Sequence, residues 1–196
     1  MPDPLVLGFD TSAAHCAAAL LSGDTVLDVR AEEMGRGQAE RLMPMLEEML
    51  GAQRAVWADL AALGVGTGPG NFTGTRIAVS AARGLALGLG VRAIGVTAFE
   101  ATALGQARPI TVTVPAPRGQ VYVQRFVAEG ADTPRLCPEG EVGGPVVPCL
   151  PPDKLAVAIA RVAADRRDTA QARPAPLYIR PADAAPPREA PPVILP

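Results

Sequence analysis

Aromatic side chains are scarce: one Trp, two Tyr and four Phe make up 4% of the 196 residues. The core must therefore be built from Ala, Val and Leu, with many small side chains in contact. Histidine is scarcer still, since His15 stands alone. A single histidine excludes the HExxH metalloprotease motif and argues against Ser-His-Asp catalysis. Cys16, Cys137 and Cys149 are widely spaced and form no CxxC, so neither a zinc site nor a disulfide framework is suggested. They read as thiols of a reducing, cytoplasmic setting. No apolar run approaches the roughly 20 residues of a membrane span. The apolar opening at 4–9 is cut short by Asp10 and has no basic segment before it, unlike a signal peptide. The formal net charge of −2 argues against a protein that grips nucleic acid through its overall field. A local basic patch, or a basic partner, is still compatible with it. The length suits one large domain or two small ones.

Glycine, by contrast, is concentrated. Gly66-Thr-Gly-Pro-Gly-Asn-Phe-Thr-Gly-Thr-Arg76 holds four glycines and a proline within nine residues. It lies between a strand-like segment, 60–65, and a helix-like segment, 75–89. Such a run turns tightly and lets something approach closely. Thr73 or Thr75 is placed to cap the helix, whose first N–H groups form a potential anion site. No Gly-Lys-Ser/Thr follows, so this is not a Walker loop. A sharp structural turn and a ligand cradle are equally compatible with it.

Hydrophobic periodicity predicts strands at 5–9, 15–21 and 25–30, with a turn at Asp10-Thr11-Ser12 and a hairpin at Ser22-Gly23-Asp24. Leu42, Met45, Leu46, Met49 and Leu50 recur at helical spacing within 38–50, and Pro44 stands early enough to be tolerated. After the glycine-rich segment come a strand at 91–96, a short helix at 98–104 capped by Thr97, and a strand pair at 110–114 and 121–127. The strand–helix–strand order implies parallel pairing beneath covering helices. Prolines at 134, 138, 145, 148, 151 and 152 permit only short edge strands. Residues 153–164 have helical periodicity. The tail from Arg173 carries eight prolines and is expected to lie on the body as an extended strap, frayed at its end. Three opening strands with an acid at the first turn, then a helix and an α/β continuation, match a ribonuclease H-like layout.

Asp10 is the best acidic candidate, able to hold a magnesium ion or to accept bonds in an Asx-type turn. No second acid ends another core strand, and Glu100, at a helix start, is explained by the helix dipole. His15 has no acid at useful spacing and reads as structural or surface. Four of the five methionines lie between Met34 and Met49, a core stripe or an adaptable partner surface. Ile77, Ala81, Gly84 and Gly88 share one stripe of the next helix. Glycine inside a helix costs about 1 kcal/mol against Ala, so a close neighbour is expected there. The chain's own first helix and a second chain both qualify. Arg161, Arg166, Arg167, Arg173, Arg180 and Arg188 make the C-terminal part locally basic, and read as solvated surface.

Leu7-Gly-Phe-Asp-Thr-Ser12, Ala39-Glu-Arg-Leu-Met-Pro-Met-Leu46, Gly68-Pro-Gly-Asn-Phe-Thr-Gly-Thr-Arg-Ile77, Gly84-Leu-Ala-Leu-Gly88 and Gly95-Val-Thr-Ala-Phe-Glu100 resemble bacterial TsaB. Pro176-Leu-Tyr-Ile-Arg-Pro181 resembles that family's C-terminal signature. The resemblance runs in order over 5–127 and returns in the tail. It implies an α/β, actin-like ATPase fold of two ribonuclease H-like lobes. Here they would span 1–107 and 108–196, the second short and proline-rich.

It also implies a non-catalytic scaffold in making threonylcarbamoyladenosine beside the anticodon of ANN-decoding tRNAs. Such a protein pairs with the transferase TsaD, supports the ATPase TsaE, and pairs with itself when TsaD is absent. It meets tRNA through the complex and needs no membrane. ATP, magnesium and a divalent metal would belong to the partners, with none for this chain alone. Family pairing buries the first two helices, so the implied contact residues are Gln38, Arg41, Leu42, Met45, Met49, Ile77, Ala78, Ala81, Gly84, Leu85 and Gly88. Asp10, Thr11, Ser12, Gly68, Gly70, Thr73 and Gly74 are candidates for nucleotide or phosphate contact. Gln38 stands where many relatives have histidine, and Pro115-Ala116-Pro117 where they have Asp-Ala-Arg. Gln38 and Leu42 occupy the stretch that holds TsaD's metal-binding histidines, and neither can replace them. The competing class is a free-standing actin-like ATPase or glycoprotease-type peptidase, acting through Asp10 and Thr73 on Mg-nucleotide or through a metal on His15.

Overall fold

A computed structural model describes residues 3–170 and 172–179. Strands β1 (Leu5–Asp10), β2 (His15–Ser22) and β3 (Thr25–Glu33) form an antiparallel ribbon. Helix α1 (Gln38–Ala52) follows, then β4 (Leu60–Gly66), α2 (Phe72–Leu89) and β5 (Arg92–Val96). β4 joins β1 in parallel and β5 joins β4, so the first sheet runs β3-β2-β1-β4-β5. Helix α3 (Ala98–Ala103) leads into a second sheet of β6 (Ile110–Ala116), β7 (Gln120–Val127), β8 (Gly130–Ala131), β9 (Arg135–Pro138) and β10 (Val146–Pro148). Its order is β10-β6-β7-β8, with β9 also on β7. Helix α4 (Pro152–Arg166) completes the regular elements among the described residues.

Alternation along the central strands sorts side chains to two faces. Leu7, Phe9, Ala18, Leu20, Leu63 and Val65 face α1 and α2, while Val6, Ala62, Ile94 and Val96 face α3, α4 and the second sheet. Few large aromatics are needed because helix and sheet come unusually close. A Cβ at Gly8 would lie 2.6 Å from the Ala160 nitrogen, and one at Gly64 would lie 2.8 Å from the Ile159 carbonyl oxygen. These two glycines make a trough in β1 and β4 into which α4 settles. Helix 152–166, expected in the second lobe, therefore packs on β1, β2 and β4 of the first sheet. Sequence separation hid this contact, since nothing local to α4 points to Gly8.

Helix α3 begins with a reciprocal capping box. Thr97 Oγ1 accepts from the Glu100 N–H at 3.0 Å, and Glu100 Oε2 accepts from the Thr97 N–H at 2.9 Å. Arg166 of α4 donates to the other Glu100 oxygen at 3.0 Å, so Glu100 ties two helices together besides capping one. Pro44 stands on the exposed side of α1, which continues past it without a break. The described part of the tail, 172–179, lies along the body as expected. Leu177 N–H donates to the Thr67 carbonyl at 2.8 Å, and Pro174 rests on Gly95. Tyr178 contacts Phe72, and its hydroxyl accepts from Arg76 Nε at 2.7 Å. The rest of the expected strap, from residue 180 onward, lies outside the described residues.

Candidate functional site

The glycine-rich segment is filled by the chain itself. Helix α2 starts at Phe72 rather than Thr75, and its cap is Asn71, whose Oδ1 accepts from the Gly74 N–H at 2.9 Å. Thr75 instead donates its hydroxyl to the Asn71 carbonyl at 2.9 Å, and Thr73 is exposed. Asn ranks among the best cap residues, and the two threonines close by carry the same local signal. The turn after β1 docks into the loop: Asn71 N–H donates to the Ser12 carbonyl at 2.6 Å, and Thr11 Oγ1 donates to the Gly74 carbonyl at 2.7 Å. A side chain at Gly70 would collide with the Ser12 carbonyl oxygen, and one at Gly74 with that of Thr11. The close approach that these glycines permit is that of the chain's own turn.

Asp10 is 1% exposed. Its Oδ2 accepts from the Ser12 N–H at 3.0 Å, the Ser12 hydroxyl at 2.9 Å and His15 Nε2 at 2.7 Å. The Asx-type turn is thus present, and His15 has the acidic partner that its sequence spacing did not reveal. The antiparallel return of β2 along β1, with Asp10 opposite Ala17, folds position 15 back onto the carboxylate. The other oxygen, Oδ1, is backed against Gly66, where a Cβ would run into it. A phosphate in this loop would meet two carbonyl oxygens and a carboxylate already engaged by its own neighbours. Gly68 is buried beside Thr75. These residues do not fit magnesium-nucleotide, and among the described residues no cluster of three or more His, Cys, Asp or Glu could hold a metal ion.

The helical face divides sharply. Leu42, Met45, Met49 and Ala78, expected at a partner surface, are 0–1% exposed and belong to the chain's own core. Gln38 is half-buried, its side chain donating to the Met34 carbonyl at 3.1 Å. Arg41 is engaged within the chain: it grips Glu32 through two bonds of 2.6 and 2.8 Å and reaches Glu48 at 2.7 Å. The Arg41 guanidinium holds both carboxyls below the ordinary carboxylate range. On α2 the outcome is the reverse. Ile77, Ala81 and Leu85 are half-buried, Gly84 and Gly88 are exposed, and Leu87 is 86% exposed. A Cβ at Gly84 or Gly88 would meet no described residue within 4 Å, so at those two positions the close neighbour expected is not the chain's first helix.

All three cysteines are free, with Cys16 and Cys137 buried and Cys149 partly so. Burial pushes Cys16 up to about 11, with nearby Glu32 adding to it. Burial likewise pushes Cys149 up to about 11, against a lowering from its hydrogen bond with Thr102. No helix of the described residues is long and apolar enough to cross a membrane.

With this geometry in view, similarity to known proteins is informative. A family model described as TsaD: tRNA N6-adenosine threonylcarbamoyltransferase matches residues 29–139. The TsaB protein of Escherichia coli, a tRNA threonylcarbamoyladenosine biosynthesis protein, is 34% identical over 122 residues, which cover 60% of this chain and 52% of that protein. The chain spans little more than half the length of such curated relatives. An uncharacterized protein of Mycobacterium tuberculosis is 30% identical over 92% of this chain and 94% of its own length. A solved Pseudomonas aeruginosa protein, described as similar to peptidase YeaZ, superposes with a TM-score of 0.73 at 23% identity, covering 90% of this chain and all of that one. The fold is therefore the actin-like, ribonuclease H-like α/β arrangement. The chain belongs to the TsaD family in the broad sense, and within it to the TsaB/YeaZ type.

Proposed function

We propose that this chain acts in the biosynthesis of threonylcarbamoyladenosine in tRNA, as a non-catalytic subunit that docks TsaD and supports TsaE. The observation that carries the docking reading is the open stripe on α2. Gly84 and Gly88 are filled by no other described residue and stand beside an almost fully exposed Leu87. Two glycines inside a helix cost about 1 kcal/mol each in an isolated chain. A partner helix that packs closely on the stripe would offset that cost through buried apolar area. Ile77, Ala81 and Leu85 widen the contact.

In this reading the reaction, its ATP and magnesium, and any divalent metal belong to the partner subunits. The internally satisfied Asp10 turn is consistent with that division of labour. The same stripe would pair with a second copy when TsaD is absent, and tRNA would be met through the cytoplasmic complex. Co-expression with TsaD tests the proposal. Gly84→Leu should abolish co-purification while the isolated variant keeps its circular dichroism spectrum and melting temperature. Undiminished complex formation by a folded Gly84→Leu chain would sink it.

A further inference from the structure

In the second sheet, β6 and β7 turn Ile110, Val112, Val114 and Phe126 toward the core. Alternation sends Thr111, Val123 and Arg125 to the outer face. Thr111 is paired with Arg125, and Val123 with Arg135 of β9, so both arginines stand on that one surface. Asp132 is brought alongside, its N–H donating to the Arg125 carbonyl at 2.8 Å. A cavity of about 250 Å³ opens there, walled by Thr111, Val123, Arg125, Asp132, Arg135 and Val142. A second cavity of about 290 Å³ adjoins it and shares Thr111 and Arg125. Among the described residues, neither the two guanidinium groups nor the Asp132 carboxylate takes part in an ion pair. Opposite charges thus ring one small cavity without closing on each other. Thr111 is only 9% exposed, and its hydroxyl is engaged by no other described residue. No fully enclosed side-chain nitrogen or oxygen lacks a partner, so that hydroxyl reaches the space of the two cavities.

We infer that this outer-face cavity binds a free acidic amino acid, its two carboxylates on Arg125 and Arg135 and its ammonium on Asp132. Two guanidinium groups and one carboxylate are matched, group for group, by a molecule with two carboxylates and one ammonium. A guanidinium is a planar fork that receives a carboxylate through two parallel N–H bonds. The Thr111 hydroxyl adds a donor for a remaining carboxylate oxygen. Val123 and Val142 give the ligand's short methylene chain an apolar wall. Other ligand classes leave a group unmatched. Inorganic phosphate would set its charge against Asp132, and like charges brought together are penalised. A metal ion would face two guanidinium groups. The volume lies below the roughly 300–1,000 Å³ of drug-sized ligand sites, which suits a molecule of amino-acid size. No residue of the docking stripe on α2 takes part, so this site stands or falls independently of partner docking.

Saturation-transfer NMR on the isolated full chain at fixed ionic strength tests the assignment. The probes are L-aspartate and L-glutamate, with glutarate (no ammonium), L-glutamine (one carboxylate) and inorganic phosphate as comparisons. Saturable binding of at least one acidic amino acid is expected, on the order of millimolar because exposed ion pairs are individually weak. It should be about tenfold tighter than glutarate, glutamine or phosphate. Arg125→Gln and Arg135→Gln should each weaken it about fivefold or more. Asp132→Asn should erase the preference for the amino acid over glutarate, an outcome that general charge attraction does not produce. All three side chains are exposed, so these variants are expected to fold as the parent does. Absence of saturable binding by both acidic amino acids would overturn the inference. So would phosphate or glutarate binding as tightly, or an Asp132→Asn chain that keeps the preference.

Discussion

Helices α1 and α2 pack on the same face of the first sheet, yet they use unusual side chains in opposite ways. α1 turns its methionines inward: Met45 and Met49 are fully buried together with Leu42, Leu46 and Leu50. The fully buried residues of α2, Gly74, Thr75, Ala78, Val79 and Ala82, all lie before Leu85, while Leu85, Ala86 and Leu89 pack on the core only in part. The glycines within α2 differ accordingly. Gly74 is small because the Thr11 carbonyl presses against it, while Gly84 and Gly88 are small with no described residue within 4 Å of an added Cβ. A small-residue stripe thus acquires meaning only from what lies above it. At Gly74 that is the chain's own turn, and at Gly84 and Gly88 it is no described part of the chain.

The comparison can be broken most strongly in α1. Met45→Ala or Met49→Ala should destabilise the chain by about 2–5 kcal/mol in urea unfolding, whereas Leu87→Ala on α2 should change stability by less than about 0.5 kcal/mol. Next comes the contrast between two glycines of one helix. Gly74→Ala forces the Asp10–Ser12 turn away from α2 and should cost about 1–3 kcal/mol, read as a lowered melting temperature. Gly84→Ala should raise the stability of the isolated chain by about 0.5–1 kcal/mol; a loss would show that the stripe is already covered. The smallest effect concerns the ion pairs that fasten α1 to β3. Glu32 and Glu48 are held below their ordinary range by Arg41. Their contribution is therefore complete above the unfolded-state carboxylate range and lost as pH falls through the lowered folded-state values. Melting temperature should decline modestly on acidification, less so in Arg41→Gln and less so in high salt. Exposure of both carboxylates keeps the effect small.

Much of the fold was legible because it is written in local patterns. The alternation in β1 and β2, the 3.6-residue period of α1 and the Thr97–Glu100 capping box each depend on neighbours in sequence. The extended course of residues 172–179 was legible for the same reason, since Pro174 and Pro176 have no amide hydrogen with which to join a sheet interior. The candidate site was read less completely. Asp10 stood out as an acid at a strand end, but its partner His15 did not, because antiparallel pairing rather than spacing unites them. Asn71 competes as a cap with two nearby threonines, and only the fold decides among them.

Sequence alone determined which segments become strands and helices, the glycine-rich turn after β4 and the kinship with TsaB, for these rest on side-chain type at short range. Tertiary structure alone decided that Gly8 and Gly64 receive α4, that Met45 and Met49 point inward, and that no described residue fills Gly84 and Gly88. The reason is steric: whether a missing side chain is a contact or a vacancy depends on which distant backbone arrives there, and that is a property of the packed chain.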